Sequence, residues 1–365
     1  MILSSIRKYF KHSISSEQYS LASPLKEMKF GLSRGSGNRA SYLWNRFSWY
    51  VYPKIHHVSQ FPTHVDIEAA STCQLNCPMC YTTTDHFKKT VNQRCIDYEL
   101  FKKVIDECRS YSIYSIRLSW RGESLLHPRL IDMVSYAKES GIKEVSFLTN
   151  GEHLTLEMID GLINNGLDWV TVSFDGLYDT YEKIRAPLKF DETVAKLKLL
   201  KRRKKELGSA KPVVKVQSIW PAISNDPSKY YDFMSDIVDE VAFNPIKKKE
   251  YYYWHDKEMY KEDFVCPKPW QRIMVTASGN IVPCIADVYE EEILGNIRDT
   301  TIFDVWHGDK LNELRRKHLE KDRFKFEICA RCQLGLKTQP TLLEVGGNML
   351  EATKYGYTKP AAVEK

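Results

Sequence analysis

The feature that most restricts the fold is a regular alternation of strand-like and helical segments between about residues 64 and 246. Helical spacing appears in segments such as "DYELFKKVIDECRS" and "FDETVAKLKLLKRRKKEL". Six apolar runs that alternate with such segments predict strands: "HVDIEAA", "SIRLSWRGE", "EVSFLTNG", "DWVTVSFDG", "PVVKVQSIW" and "DEVAFNPI". Strands that alternate with helices form parallel βαβ units, because each helix carries the chain back to the start of the next strand. The pattern therefore predicts an α/β fold built around a partial (β/α)6, TIM-like barrel.

The alternation divides the chain into four predicted parts. Residues 1–60 form a basic, aromatic-rich extension, and we expect its rings to cap the body of the protein instead of binding a membrane surface or a partner. Residues 61–250 form the partial barrel. Residues 251–340 contain a second group of cysteines and predict a small α+β domain, and residues 341–365 form a tail without a strong pattern.

Charge and hydropathy exclude several classes of protein. The formal charge of +6 comes from 53 basic and 47 acidic side chains, which is far from the concentrated basic stripe of a nucleic-acid binder. No stretch approaches the length of apolar sequence that a transmembrane helix needs, and the N-terminus lacks the pattern of a secretory signal. We therefore expect a cytoplasmic protein, in which the nine cysteines are reduced and act as metal ligands or buried thiols.

Three of the nine cysteines, Cys73, Cys77 and Cys80, lie in the short stretch "STCQLNCPMCYTT" directly after the first predicted strand. A four-iron cluster is usually held by four thiolates, one for each iron. Three thiolates would leave one iron with open coordination sites, where chemistry can occur. The stretch also lies at the carboxyl end of a barrel strand, where such folds place their active sites. The alternative is a structural zinc site that takes a fourth ligand such as His86.

The C-x3-C-x2-C spacing after the first strand of a six-fold βα run resembles the radical S-adenosylmethionine (SAM) superfamily. The resemblance implies that the amino and carboxylate groups of SAM bind the open iron. It also assigns SAM contacts at successive strand ends. These are Met79 near the adenine, Gly122 and Glu123 in "RGE" with Glu123 accepting from the SAM ammonium, Asn150 in "TNG", Ser173 and Asp175 in "VSFDG" at the ribose or carboxylate, Arg185 at the carboxylate, and Gln217 at the same rim. Arg121 stands where the family usually has the first glycine of Gly-Gly-Glu.

Four further cysteines, Cys266, Cys284, Cys329 and Cys332, have the signature C-x17-C-x44-C-x2-C around the hairpin-like run "RIMVTASGNIVPC". This arrangement is similar to SPASM/Twitch auxiliary-cluster domains, and four cysteines match the shorter form with one cluster. The resemblance implies a second 4Fe–4S cluster that relays electrons. A structural four-cysteine zinc site is the alternative, because ligand count alone does not separate zinc from iron–sulfur. The two remaining cysteines, Cys95 and Cys108, are expected to be buried thiols.

The single-cluster spacing resembles enzymes that oxidise a secondary alcohol of an aminocyclitol. This resemblance implies a radical SAM oxidoreductase that dehydrogenates a small polyol, aminocyclitol or sugar-like molecule and passes the substrate electron to the auxiliary cluster. The resemblance also implies a flavodoxin or ferredoxin as electron donor. The catalytic residue is unknown, with Tyr251, Tyr252, His255 and Asp287 as possible bases. A peptide maturase is the alternative enzyme, although residues 1–60 lack the winged-helix pattern of its peptide-binding unit. A zinc-binding nucleic-acid module is a remote alternative from another class.

Overall fold

The computed structural model describes residues 19–355 except 23, 36, 245–257, 259, 333 and 346–347. The strands are β1 Tyr19–Ser20, β2 His64–Ile67, β3 Ser115–Arg117, β4 Glu144–Thr149, β5 Trp169–Ser173, β6 Val213–Ile219, β7 Glu240–Asn244, β8 Arg272–Val275, β9 Asn280–Val282, β10 Gly295–Asn296, β11 Thr338–Val345 and β12 Asn348–Tyr355. The helices are α1 Pro24–Arg34, α2 Arg39–Val51, α3 Asp85–Thr90, α4 Tyr98–Ser110, α5 Leu130–Glu139, α6 Leu156–Asn164, α7 Asp179–Ile184, α8 Phe190–Glu206, α9 Trp220–Ile223, α10 Pro227–Ser235, α11 Ile302–His307, α12 Asp309–Leu319 and α13 Glu327–Ala330.

One ten-stranded sheet organises the molecule, in the order β1-β7-β6-β5-β4-β3-β2-β8-β9-β10. The strands from β2 to β7 are parallel to their neighbours and correspond to the six strands that the sequence predicts. Both faces of β5 are buried, as expected for a parallel strand that is covered by helices. The predicted α/β partial barrel is confirmed.

The second cysteine region is joined to the same sheet. Strand β8 pairs in parallel with β2, and β8 and β9 form an antiparallel hairpin whose turn contains Gly279. Gly279 has a φ of +84°, a conformation that glycine adopts without the steric cost of a side chain. The hairpin therefore extends the barrel sheet, and helices α11 to α13 follow it to complete a small α+β region.

Both ends of the described chain add strands that the sequence pattern does not reveal. The two residues of β1 pair antiparallel with β7 at one edge of the main sheet. Strands β11 and β12 form a separate antiparallel hairpin, although the sequence from residue 341 onward shows no strong signal. None of the described helices has the length and hydropathy to cross a membrane.

Buried charged pairs connect the strands with each other and with helix α1. Asp66 on β2 accepts hydrogen bonds from Arg117 Nε at 3.0 Å and Arg272 Nε at 2.6 Å, and these arginines hold its pKa well below the usual range although burial opposes this. The guanidinium of Arg34 on α1 donates to both carboxylate oxygens of Glu144, at 2.8 and 3.1 Å. Because Glu144 is the first residue of β4, helix α1 lies at the amino ends of the strands, which we call the floor of the barrel. The carboxyl ends of the strands form the opposite rim.

Candidate active site

The first cysteine group lies on the loop that follows β2. Cys77 is buried, whereas Cys73 and Cys80 are half-buried. A backbone hydrogen bond of 3.0 Å from Cys80 N to Cys77 O tightens the loop, and the hydroxyl of Thr83 donates to Cys80 O at 2.8 Å. The loop thus carries all three thiols after β2, with those of Cys73 and Cys80 partly accessible.

Gly122 and Glu123, after β3, pack against the start of this loop. Glu123 N donates to Thr72 O at 2.8 Å. A Cβ atom on Gly122 would lie 2.3 Å from Thr72 O and 2.5 Å from Ala70 O, so this position accepts glycine alone. The predicted "RGE" motif therefore supports the backbone of the cysteine loop directly.

The carboxylate of Glu123 is buried and accepts three hydrogen bonds within the chain. Its Oε1 accepts from Thr149 Oγ1 at 2.6 Å and from Leu125 N at 3.0 Å, and its Oε2 accepts from Asn150 N at 2.6 Å. Burial raises the pKa of Glu123, although these donors oppose the change. Each carboxylate oxygen accepts about two hydrogen bonds, so Oε2 retains capacity for one further donor such as an ammonium group.

Asn150 and Arg185 connect the rim residues with the cysteine thiols. Asn150 Nδ2 lies 4.0 Å from Cys73 Sγ, and Arg185 Nη1 lies 3.7 Å from Cys77 Sγ. Arg185 Nε also donates to the carboxylate of Asp175 at 2.6 Å. Burial disfavours the charged guanidinium, but the Asp175 carboxylate and Cys77 beside it raise the pKa of Arg185 above its usual value.

Two buried amide oxygens have no hydrogen-bond partner among the described residues. They belong to Gln217 on β6 and Asn244 at the end of β7. Ser173 is the register neighbour of Gln217 across β5 and β6, and Met79 is half-buried against the core beside the cysteine loop. A buried carbonyl oxygen that lacks a donor is costly, so these two amides fit a site that receives hydrogen-bond donors from a bound molecule.

The residues present therefore fit a three-thiolate cluster and a polar cofactor beside it. Three thiols lie in one loop, and the cationic guanidinium of Arg185 lies next to one of them. The buried amide oxygens of Gln217 and Asn244, on β6 and β7, have no donor among the described residues. Five of the predicted SAM-contact residues lie at or just after the carboxyl ends of neighbouring strands: Gly122, Glu123, Asn150, Ser173 and Asp175. Met79 lies in the cysteine loop, Arg185 follows α7 and contacts Asp175, and Gln217 lies within β6. Among the described residues, no three Cys, His, Asp or Glu side chains are close enough to share one metal ion. His86, the alternative zinc ligand, packs edge-on against the Tyr289 ring at 4.4 Å.

The second cysteine group surrounds a cavity of about 30 Å³. The cavity is lined by Cys266, Cys284, Cys329 and Cys332, together with Phe264, Lys268, Ile285, Ala286, His318, Arg323, Ile328 and Leu334. The thiols come from three stretches of chain, because Cys329 and Cys332 share one, and burial raises the pKa of Cys266 to about 12 and that of Cys284 still further. Neutral thiols at this depth become ligands when a bound metal displaces their protons. The four thiols match a cluster that takes one thiolate for each iron.

Three residues that the sequence does not single out hold the second group in place. Arg323 is buried and donates to the carbonyl oxygens of Leu334 at 2.7 Å and Cys332 at 3.2 Å. The hydroxyl of Tyr260 donates to Ala330 O at 2.9 Å. The third residue is His318, which is buried on α12. An Arg or Tyr that donates to backbone oxygens has no characteristic sequence spacing, so no signal could have identified these two residues.

His318 on α12 is buried beside the thiols. Its Nδ1 accepts a hydrogen bond from Cys266 N at 3.4 Å, and its Nε2 lies 3.5 Å from Cys329 Sγ. Burial lowers the pKa of His318 to about 4, so the ring is neutral near pH 7. Because Nδ1 accepts, the single ring proton resides on Nε2 and points toward the Cys329 sulfur.

Arg121, the residue that departs from the family pattern, joins the two cysteine regions. Its guanidinium donates to Glu68 Oε1 at 2.6 Å and Oε2 at 2.5 Å, to Glu290 Oε1 at 2.7 Å and to Val288 O at 3.1 Å. Glu68 follows β2, whereas Val288 and Glu290 belong to the segment after Cys284. A glycine at this position could not make these contacts. Arg121 therefore links the barrel rim to the auxiliary region, two residues away from Glu123.

The structure describes one of the four proposed bases. Tyr251, Tyr252 and His255 lie outside the described residues. The carboxylate of Asp287 is buried and accepts from Glu291 N at 2.8 Å and Glu292 N at 3.0 Å, and burial raises its pKa to about 6. These bonds give Asp287 a role in shaping the loop after Cys284.

Two family models match the chain. The model described as the radical SAM superfamily matches residues 67–213, and the SPASM model, described as an iron-sulfur cluster-binding domain, matches residues 266–333. The first range contains the three-cysteine loop and every predicted SAM contact except Gln217, and the second contains all four auxiliary cysteines.

Similar proteins differ in their substrates. A tungsten-containing aldehyde ferredoxin oxidoreductase cofactor-modifying protein of Pyrococcus furiosus is 25% identical over 73% of this chain and 86% of its own length. The S-adenosyl-L-methionine-dependent 2-deoxy-scyllo-inosamine dehydrogenase of Niallia circulans is 35% identical over 20% of this chain and 29% of its own length. The solved structure of anSMEcpe with bound AdoMet and Cp18Cys peptide has a TM-score of 0.54 at 17% identity and covers 80% of this chain and 93% of that one, which shows a shared fold.

Proposed function

Because the chain belongs to the radical SAM superfamily and carries a C-terminal SPASM iron–sulfur domain, we propose that it is an oxidoreductase for a small polyol, aminocyclitol or sugar-like substrate. When bound, the cofactors supply a 5′-deoxyadenosyl radical, derived from SAM at the first cluster, and an auxiliary cluster that takes up one electron. The observation that carries the proposal is the set of four thiols around one cavity, because a cluster with four protein ligands has no open iron for a substrate.

At the first site, Cys73, Cys77 and Cys80 would hold three irons and leave the fourth for SAM. The cationic Arg185, which is held by Asp175, would face the SAM carboxylate. Glu123 Oε2 has capacity for the ammonium group. Ser173, Gln217 and Asn150, with Met79 near the adenine, would complete the contacts. These side chains position SAM and exclude water, so that one substrate hydrogen lies close to the reactive carbon.

At the second site, the chain contributes a fixed ligand set. The carbonyl oxygens near Cys332 are held by Arg323, and the proton on His318 Nε2 points toward Cys329 Sγ. A rigid, mostly apolar chamber with a neutral donor suits electron transfer, because little reorganisation accompanies a change of cluster charge. Oxidation of an alcohol would also release a proton, for which Tyr251, Tyr252, His255 and Asp287 remain the proposed acceptors.

The described part of the N-terminal extension supports a small substrate over a peptide. Helices α1 and α2 contact the amino ends of the strands, through Arg34 at Glu144 and Trp49 beside His64. That end lies opposite the rim that carries the cysteines. The described part of the extension, from Tyr19 onward, is therefore not positioned to present a peptide at the active site. The name of the Niallia circulans relative, a dehydrogenase of an aminocyclitol, agrees with this class of substrate.

The proposal is tested by the release of 5′-deoxyadenosine from the anaerobically reconstituted enzyme with SAM and a low-potential reductant such as flavodoxin or ferredoxin. We expect polyols or aminocyclitols to stimulate release and to be converted to ketones. A substrate deuterated at the reacting carbon should transfer deuterium into 5′-deoxyadenosine. The Cys95→Ala variant is a matched control, since Cys95 lies outside both groups and should retain full activity.

Two outcomes would contradict the proposal. Stimulation by peptides alone would assign the chain to the maturases. Conversion of a polyol by a Cys284→Ala variant at the rate of the unaltered enzyme would show that the auxiliary cluster takes up no electron.

A further inference from the structure

Helices α1 and α2 cover the floor of the barrel, each with one buried face. On α1, Phe30 packs edge-on against Trp169 at 6.3 Å, and Arg34 binds Glu144. On α2, the side chain of Asn45 donates to Thr63 O at 3.1 Å. Trp169, Glu144 and Thr63 all lie at or just before the amino ends of strands. The outer faces of both helices therefore point away from the same end of the barrel.

These outer faces are apolar and exposed. We call them the outer floor face, which consists of Leu25, Met28 and Leu32 on α1 and Leu43, Trp44 and Phe47 on α2. Trp44 is 62% exposed and stacks on Phe47 at 5.4 Å, and Leu25 is 68% exposed. Six of the twelve large apolar side chains that are exposed among the described residues thus lie within 23 residues of sequence. Such a concentration on one face marks an interaction surface.

The charge of the chain is concentrated in the same segment. Residues 1–60 contain nine Lys or Arg and two Asp or Glu, which leaves 44 basic and 45 acidic side chains for the rest. Lys29 on α1 and Arg39 on α2 are exposed on the same helices as the outer floor face. By composition, the net positive charge of the protein therefore comes from the extension alone.

The buried rings of Tyr42 and Trp49 cap the body as the sequence leads us to expect, but Trp44 and Phe47 are exposed. In contrast to that expectation, we propose that the outer floor face docks on an anionic membrane surface. Trp, Phe and Leu on one face of a helix with Lys and Arg beside them is the composition of helices that lie in the membrane interface. The exposed Trp44 ring suits the headgroup level of a bilayer. A second copy of the chain is a poorer occupant, because two basic faces would meet. Docking in this orientation places the cysteine rim on the side away from the lipid, where a water-soluble substrate reaches it.

The test is sedimentation of the full-length, iron-loaded protein with vesicles. We expect binding to phosphatidylcholine vesicles that contain phosphatidylglycerol, much weaker binding to phosphatidylcholine alone, and release at high salt. The Leu43→Ser/Trp44→Ser/Phe47→Ser variant should bind the anionic vesicles about tenfold more weakly. Its iron content and its release of 5′-deoxyadenosine should be unchanged, which separates loss of docking from misfolding.

The matched control changes three exposed leucines elsewhere on the surface, as Leu156→Ser/Leu207→Ser/Leu319→Ser. This variant should bind vesicles as the unaltered protein does. The proposal is overturned if the unaltered protein stays in the supernatant with anionic vesicles at low salt, or if both triple variants lose binding equally. The proposal is also overturned if analytical ultracentrifugation shows a dimer that the Leu43→Ser/Trp44→Ser/Phe47→Ser variant abolishes. A second copy of the chain would then cover the outer floor face.

Discussion

The two cysteine regions both supply thiol ligands, but they differ in the number of thiols and in how the chain positions them. Cys73, Cys77 and Cys80 come from a single loop at the open rim, whereas the four auxiliary thiols come from three stretches of chain and line a cavity. The loop is set by local backbone bonds, such as Cys80 N to Cys77 O at 3.0 Å. The auxiliary set depends on the folding of an entire small domain. A loop with three cysteines can leave one iron open to a cofactor, and an enclosed set of four cysteines cannot.

Each region also places one nitrogen donor near a thiol, and the two donors differ in charge. Arg185 Nη1 lies 3.7 Å from Cys77 Sγ and is cationic. His318 Nε2 lies 3.5 Å from Cys329 Sγ and belongs to a neutral ring. A fixed positive charge suits a site that is to receive a carboxylate, while a neutral donor suits a buried relay whose charge changes by one electron.

The largest effect is expected when the cysteine ligands of one cluster are replaced and those of the other cluster are kept. The Cys73→Ala/Cys77→Ala/Cys80→Ala variant should fall from about eight irons to about four per chain and lose all cleavage of SAM. A Cys284→Ala variant should lose iron from the auxiliary site but still release 5′-deoxyadenosine. Iron and sulfide quantification with product analysis checks both. Loss of all iron in the first variant would mean that the two sites do not load independently.

The next effect concerns the link between the regions. Arg121→Ala would remove the cation that pairs with the buried carboxylate of Glu68, and would also break the ion pair with Glu290. Breaking one side of a buried ion pair costs about 3–5 kcal/mol, so the free energy of unfolding should fall by this amount. Anaerobic denaturant unfolding of the iron-loaded protein measures it.

The matched control for this substitution is Arg129→Ala. Arg129 pairs with Asp132 at 2.9 Å on the surface of α5, where water screens the interaction. Its loss should change the free energy of unfolding much less than the loss of Arg121. Equal effects of the two substitutions would show that Arg121 does not join the two regions.

The smallest effect is expected on the reduction potential of the auxiliary cluster, when the N–H of His318 is removed. His318→Phe keeps an aromatic ring but removes the N–H that faces Cys329 Sγ. A net hydrogen bond of about 0.5–1.5 kcal/mol corresponds to roughly 20–65 mV for one electron, so the auxiliary cluster's reduction potential should fall by that amount. A redox titration followed by electron paramagnetic resonance measures the shift.

Two readings from the same titration complete this test. The potential of the first cluster should be unchanged, because His318 lies in the other region. His307→Phe, which alters an exposed histidine bonded to Gln60 O at 3.0 Å, should leave both potentials unchanged. An auxiliary potential that does not move in His318→Phe would show that the ring only fills space.

The sequence predicts most of what is local in the site. The three-cysteine loop, the "RGE" glycine at Gly122 and the residues at later strand ends follow from spacing within short motifs, since parallel strands bring their carboxyl ends to one edge. The contribution of Arg121 was not predictable, because its partners Glu68 and Glu290 are distant in sequence. Likewise, the register that makes β8 a seventh parallel strand depends on pairing with β2.

By itself, the sequence determined the α/β alternation, the two cysteine groups and their family resemblance, because these reside in periodicity and short spacings. Only the tertiary structure decided that the auxiliary hairpin continues the barrel sheet, that a histidine on α12 faces a ligand thiol, and that the extension covers the floor. Such contacts join residues far apart in the chain. They are fixed by packing and by the need to pair buried charges, and no short pattern records them.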